Sequence, residues 1–182
     1  GFVESLLSLI GLDWAVPDFS TLSRRKKTLK VNIPYRGSDG SLHLLIDSTG
    51  IKFEGEWNAR KHGGTKRRAW RKIHIGIDEK SLEIRAAEFI TSDVGDAPML
   101  PELLDQISLE QEIASVTADG AFDTRKCHDA IAARGAAAII PSRKNAKPWK
   151  QDTPGAVARN EILRTSKRVG RTIWRRWSGY HR

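Results

Sequence analysis

Two short apolar runs that each end on an aspartate constrain this chain most. Leu42–Asp47 reads LHLLID, and the run that ends on Asp119 reads VTAD, 72 residues further along. A buried strand that stops on an aspartate presents the carboxylate at the edge of a sheet, and two such strands side by side offer oxygen ligands to a hard divalent cation. Either aspartate could instead cap an ordinary turn. We take Asp47 and Asp119 as candidate metal ligands and catalytic residues.

The composition favours a polyanionic partner. The 182 residues include 31 Lys+Arg and 22 Asp+Glu, for a net charge of +9, which suits nucleic acid or an anionic membrane surface. The apolar stretch Phe2–Leu12 contains Glu4 and is too short to span a bilayer, so we expect DNA and no membrane. Cys127 is the only cysteine, which leaves no disulfide framework or CxxC zinc site and suits a reducing compartment such as the cytoplasm.

The order of the predicted elements indicates an α/β fold. Three strands come first, the second and third as an antiparallel hairpin, and helix–strand–helix–strand follows, which is the order of a ribonuclease-H-like mixed sheet with flanking helices. The helices would be crossovers between parallel strands. The predicted strands cover 42–47, 71–77, 82–90, 114–118 and 136–140, and the predicted helices cover 98–107 and 124–134.

The two ends of the chain differ from the α/β region in their predicted structure. Residues 1–41 predict a short helical N-terminal segment and a turn-rich linker, in which Ser20–Lys27 weakly resembles the start of a helix-turn-helix recognition helix. The polar sequence of residues 142–158 predicts a loop. The Arg-rich sequence of residues 159–177 predicts a basic helical tail that is broken at Gly170. We therefore divide the chain into 1–41 and a catalytic domain at 42–182.

Basic residues concentrate in two regions, 66–72 and 159–176, that we predict to contact DNA phosphates. The stretch 60–72, RKHGGTKRRAWRK, predicts a basic loop at the rim of the site, although a solubilising surface loop would look similar. The basic residues chosen are Lys66, Arg67, Arg68, Arg71, Lys72, Arg175 and Arg176.

Asp123 lies just before a predicted helix, and we expect it to cap that helix rather than bind metal.

Four blocks, in this order and spacing, resemble the bacterial DDE transposases of the insertion-sequence-five family. They are LLIDSTGIK, HGGTKRRAWRKIHIGID, VTADGAFDT and WRRWSGYHR. The resemblance implies a ribonuclease-H-like core that binds two Mg²⁺ ions, with Mn²⁺ as a substitute, through two aspartates and a glutamate. Asp47 and Asp119 match the two aspartates.

The third carboxylate of the family belongs to a helical signature, Y-(2)-R-(3)-E-(6)-K, of which this chain offers only Tyr180. Tyr180 joins the expected DNA-binding residues on that basis. Glu161 lies 42 residues after Asp119, but its RNEILR setting matches a non-catalytic segment of the family. We therefore expect a truncated copy or fragment that lacks the third ligand.

The function implied by the resemblance is that of a transposase acting on double-stranded DNA. It would cut at the ends of an insertion sequence and join the 3′-hydroxyl to a target strand, as a homo-oligomer on DNA, in the bacterial cytoplasm at the nucleoid. This chain is expected to be inactive alone. The alternatives are a catalytically dead DNA-binding remnant and a two-metal nuclease of the same fold.

Overall fold

The computed structural model describes residues 7–12, 40–58, 67–91 and 93–180, and for 52–58 and 67–70 it describes the backbone alone. The chain divides into two compact units, Gly1–Arg36 and Gly37–Arg182. In the first unit, residues 7–9 form a helical turn. The predicted helix at 20–27 and most of the linker lie outside the described residues, and the domain boundary after residue 41 stays a prediction.

The second unit is built on one five-stranded mixed sheet with the strand order β3-β2-β1-β4-β5. β2 runs antiparallel to both of its neighbours, β1 and β3, whereas β4 runs parallel to both β1 and β5. This arrangement, with helices following the three-stranded meander, confirms the predicted ribonuclease-H-like fold. The strands are β1 Leu42–Asn58, β2 Arg67–Asp78, β3 Ile84–Thr91, β4 Ile113–Thr117 and β5 Ala137–Ile139.

Within the described part of the second unit, four α-helices accompany the sheet: α1 Met99–Asp105, α2 Arg125–Ala133, α3 Pro154–Val169 and α4 Arg171–Ser178. The predicted break at Gly170 is confirmed, because its φ of 86° ends α3. The loop predicted at 142–158 is wrong over its last five residues. The Thr153 side chain caps α3 and Pro154 occupies the first turn, where a missing N–H costs nothing. None of the helices among the described residues is long and apolar enough to cross a membrane.

The core lies between the sheet and the helices α1 and α2. Alternate residues of β1 point into it, as expected for a strand with one buried face. The α1 leucines and the buried residues of β4 and α2 complete it. Its largest members include Leu42, Leu44, Leu100, Leu103, Val116, Phe122 and Ile131.

The first strand is much longer than the sequence predicted. β1 runs on for eleven residues past Asp47, because β2 pairs with it from Asp47 opposite Ile75 to Lys52 opposite Trp70 and again, after an irregularity, from Trp57 opposite Arg68. The basic loop predicted at 60–72 is therefore wrong from Arg67 onward, where β2 has already begun. Alternation of apolar and polar residues in IKFEGEW (51–57) was the overlooked signal.

Candidate active site

The pairing of β1 with β4 brings the two candidate aspartates to one level of the sheet. From His43 onward the parallel register is constant, with His43 opposite Ser115 and Leu45 opposite Thr117. Asp47 lies two residues after Leu45, and Asp119 lies two residues after Thr117. The backbones of adjacent strands in a sheet are about 4.8 Å apart. Both aspartates are exposed. The register thus leads both exposed aspartates toward the same level of the sheet, and their role as shared metal ligands stays a prediction.

Asp47 is held by the middle of a strand and not by a strand end. Ile46 is buried on the core face, so Asp47 lies on the opposite face and is exposed. Its Oδ1 accepts a hydrogen bond from the Ser48 amide at 2.7 Å. At this level β4 has ended while β1 continues along β2. The end of β4 therefore leaves Asp47 on a rigid strand beside the turn that carries Asp119.

Asp119 begins a short turn directly after β4. It precedes the 3₁₀ turn Gly120–Phe122, and its Oδ1 accepts from the Ala121 amide at 2.8 Å. Neither Asp47 nor Asp119 has an interaction at Oδ2 among the described residues. Each carboxylate is thus oriented by one backbone amide and keeps a second oxygen for a ligand.

Asp123 does not cap the helix, contrary to the sequence prediction. Thr124 is the cap of α2, and Asp123 is buried in contact with Arg159 of α3 and His128 of α2. The Arg159 guanidinium donates to both Asp123 oxygens at 3.1 Å, and His128 Nε2 lies 3.2 Å from Oδ1. Burial alone would raise the pKa of Asp123, but the hydrogen bonds with His128 and Arg159 outweigh it and hold the pKa well below its ordinary value.

Arg143 fixes the same turn from the other side. Its backbone amide donates to Asp123 Oδ2 at 2.9 Å, and its guanidinium donates to the carbonyls of Gly120 and Ala121 at 3.2 and 2.9 Å. A β-carbon on Gly120 would lie 3.2 Å from the Pro141 carbonyl, so the two segments are in close contact. The turn that carries Asp119 is therefore clamped by the segment that follows β5.

The sequence interpretation missed this clamp. Arg143 and Arg159 follow their shared partner Asp123 by 20 and 36 residues. No local spacing in the sequence indicates either contact. The only signal was the position of Asp123 beside Thr124, a residue that caps helices well by itself.

The described residues offer two carboxylates at this site and not three. No group of three His, Cys, Asp or Glu that could hold a metal occurs in the part of the chain that the structure describes. Glu161 is exposed on α3 and pairs with Arg164, one turn along the same helix. Oxygen donors alone suit a hard divalent cation, which tolerates water in its remaining positions. Asp47 and Asp119 therefore fit such an ion as a partial ligand set.

Four of the five predicted DNA-binding residues of the first region lie on β2. Lys66 is outside the described residues, and Arg67 and Arg68 are described by their backbone alone. The Arg71 guanidinium lies 5.9 Å from the centre of the Phe89 ring. Lys72 Nζ is 3.0 Å from an Asp96 carboxylate oxygen, so this lysine already has an anionic partner.

The second region lies at the end of α4. The Arg175 guanidinium is 5.2 Å from the centre of the Tyr180 ring, and Arg176 is exposed. Trp177 beside them is 72% exposed. Trp149, in contrast, packs against the Arg159 guanidinium at 4.2 Å, which makes it part of the buried network around Asp123.

Two family models match this chain, and both are described as a transposase DDE domain. One matches residues 38–181 and the other residues 1–56. The first covers most of the chain, including β1, β4 and both aspartates. Such domains act on DNA and in general use divalent metal ions. The narrower assignment to the insertion-sequence-five family stays a prediction. On the fold and these matches, the chain belongs to the family of transposase DDE domains.

Proposed function

We propose that this domain cleaves DNA strands at the ends of an insertion sequence and joins the 3′-hydroxyl to a target strand, with Asp47 and Asp119 as catalytic metal ligands and Mg²⁺ as the ion. The observation that supports the proposal most is the β1–β4 register, which pairs Leu45 with Thr117, two residues before each of the exposed aspartates. Mn²⁺ should substitute, because it shares the preference for oxygen ligands.

In this proposal the protein supplies position and charge. Asp47 and Asp119 would hold the ion, while the Ser48 and Ala121 amides fix the orientation of the carboxylates. When bound, divalent ions activate the attacking oxygen and offset charge on the phosphodiester during in-line displacement. Phosphate contacts from Lys66, Arg67, Arg68, Arg71 and Lys72 on one region, and from Arg175, Arg176 and Tyr180 on the other, would hold double-stranded DNA across the site.

Two carboxylates bind an ion less firmly than three. Each loss of roughly 1.4 kcal/mol of transition-state stabilisation costs a factor of ten in rate. With only Asp47 and Asp119 at the site among the described residues, we expect these 182 residues to bind DNA and a divalent ion but to cleave DNA below detection. The alternative of a DNA-binding remnant follows from the same observation.

Cleavage of a labelled duplex carrying an element end, in Mg²⁺ or Mn²⁺, tests the proposal. The chain should retard the duplex in EDTA and yield no product within hours. Robust cleavage that is abolished in Asp47→Asn and in Glu161→Gln would show that Glu161 is the third ligand and that the chain is a complete enzyme. Cleavage without joined products would instead favour a two-metal nuclease. Cleavage that survives Asp47→Asn and Asp119→Asn would refute the catalytic assignment.

A further inference from the structure

A strongly basic pocket opens beside the clamped turn. Its volume is about 570 Å³, within the usual range for small-ligand sites. Residues 142–147 form one wall, α3 contributes Leu163, Ser166 and Lys167, and α4 contributes Arg171 at its start. Lys167 and Arg171 belong to the region 159–176 that the sequence predicted to contact DNA, whereas the cationic residues of 142–147 do not.

The charge of the pocket has one sign. Five cationic side chains line it, and no Asp or Glu is among its lining residues. They are Arg143, Lys144, Lys147, Lys167 and Arg171, all of them exposed. The three lysines form no ion pair with any described residue. Positive charges concentrated in a concave surface repel one another and attract anions. A bound anion would therefore be favourable in this pocket.

A buried hydroxyl in the same wall lacks a partner. Ser142 is 6% exposed, and its Oγ has no hydrogen-bond partner among the described residues. Leaving a buried polar atom unpaired is unfavourable, so each such atom calls for an explanation. The frame around it is fixed, because Arg171 donates to the Ser142 carbonyl and the Ala146 amide donates to the Arg143 carbonyl at 3.1 Å. Several cations on a fixed frame are donors that a phosphate group accepts from, and the unpaired hydroxyl belongs to a residue of the same wall.

We propose that this pocket is a phosphate-binding site that holds a backbone phosphate of the DNA strand next to the Asp119 turn. The inference rests on the proposed function and extends it. Arg143 links the two places, because it lines the pocket and its guanidinium also donates to the carbonyls of Gly120 and Ala121. A phosphate held there would set the register of the strand relative to Asp119 without reading its sequence.

DNA binding in EDTA tests the proposal apart from any cleavage. The test variant carries Lys144→Gln and Lys167→Gln, and the matched control carries Lys80→Gln and Lys126→Gln, which remove the same charge from exposed lysines outside the pocket. Plots of log affinity against log salt should be shallower for the test variant than for the control by about 0.9 for each phosphate that the pocket holds.

A second arm separates a DNA phosphate from a free one. Inorganic phosphate should raise the melting temperature of the wild-type chain relative to chloride at equal ionic strength. The test variant and Ser142→Ala should lose part of this rise, while Ser142→Ala without phosphate should melt no lower than the wild type, because the hydroxyl it removes has no partner among the described residues.

The two arms decide separately. Loss of the phosphate effect with a salt slope equal to that of the control would assign the pocket to a free anion and overturn the DNA phosphate. No change in either arm would overturn the site itself. A wild-type chain that does not bind DNA would refute the proposed function, and it would also overturn the DNA phosphate while the melting arm still decides whether the pocket binds phosphate.

Discussion

Asp123 and Arg159 form a buried ion pair across 36 residues of sequence, in which Nε and Nη2 of the arginine each donate to a different carboxylate oxygen at 3.1 Å. Both side chains are at most 3% exposed. The pair joins the turn after β4 to α3, and Asp119 is four residues from Asp123 in that turn. The geometry of the candidate site therefore depends on a contact with a distant helix.

Removing one member of this pair should be far more damaging than removing a surface pair on the same helix. Arg159→Gln leaves the Asp123 charge buried without its main partner, for which we expect a loss of about 3–5 kcal/mol in the free energy of unfolding. Arg164→Gln is the matched control, because its pair with Glu161 is more than 60% exposed on both sides and should cost at most about 1 kcal/mol. Urea denaturation of both variants decides; equal losses would contradict the account.

The lowered pKa of Asp123 predicts a dependence of stability on pH. Because the folded-state pKa lies below the unfolded value of about 3.9, the ionised group stabilises the fold fully above that value. This contribution is lost progressively as the pH falls from about 4 through the folded-state pKa. The difference in unfolding free energy between the wild type and Asp123→Asn should therefore be largest near pH 7 and shrink at pH 3.5. The same comparison with Asp105→Asn, an exposed carboxylate, should show no comparable difference at pH 7. A gap that widens at low pH would contradict the assigned direction.

The Arg143 clamp should affect metal binding at a distance. Arg143→Gln removes the donors to the Gly120 and Ala121 carbonyls, so the Asp119 turn should become less well fixed. Loss of such supporting contacts usually costs about 10–100-fold in metal affinity, and we expect a loss near the lower end for Mn²⁺. Lys144→Gln removes the neighbouring charge without touching the turn, and calorimetry without DNA should show little change for it. Equal losses in both would mean that charge, and not the clamp, is responsible.

The contact between α2 and α3 depends on a residue with no side chain. A β-carbon on Gly155 would lie 2.4–2.5 Å from Asp129 and from the His128 backbone. Gly155→Ala should therefore cost at least the upper part of the roughly 1–3 kcal/mol typical of overpacking, because backbone atoms must move. Gly95→Ala serves as the control, since the nearest atom to its added carbon is 3.9 Å away. Thermal unfolding of Gly155→Ala indistinguishable from that of Gly95→Ala would show that the helices separate easily.

Much of the fold followed from periodicity and element order. The hairpin of β2 and β3, the two crossovers and the break at Gly170 were predicted because apolar spacing and punctuating glycines are local signals. The length of β1 and β2 beyond the core was not, because a dense run of charge between Arg60 and Lys72 suggested a loop. Pairing between the two strands overrides that local preference.

The candidate site rests on two residues that the sequence could indicate locally, and its role as a metal site stays a prediction. Asp47 and Asp119 follow apolar runs, and the parallel register that aligns them follows from the fold. The buried partners of Asp123, and the pocket between the segment after β5 and α3, depend on how α3 packs. Such contacts between distant segments leave no spacing in the sequence, so these residues were assigned to a helix cap, a loop and a basic tail.

Binding of Mn²⁺ to the wild-type chain and to single aspartate variants tests the central claim most directly. Electron paramagnetic resonance titration of free Mn²⁺ should show a site whose affinity falls at least tenfold in both Asp47→Asn and Asp119→Asn, since losing a direct ligand should cost no less than losing a supporting contact. Asp105→Asn, which removes an exposed carboxylate on α1, should bind as the wild type does. Unchanged affinity in either Asp47→Asn or Asp119→Asn would contradict a metal site shared by the two aspartates.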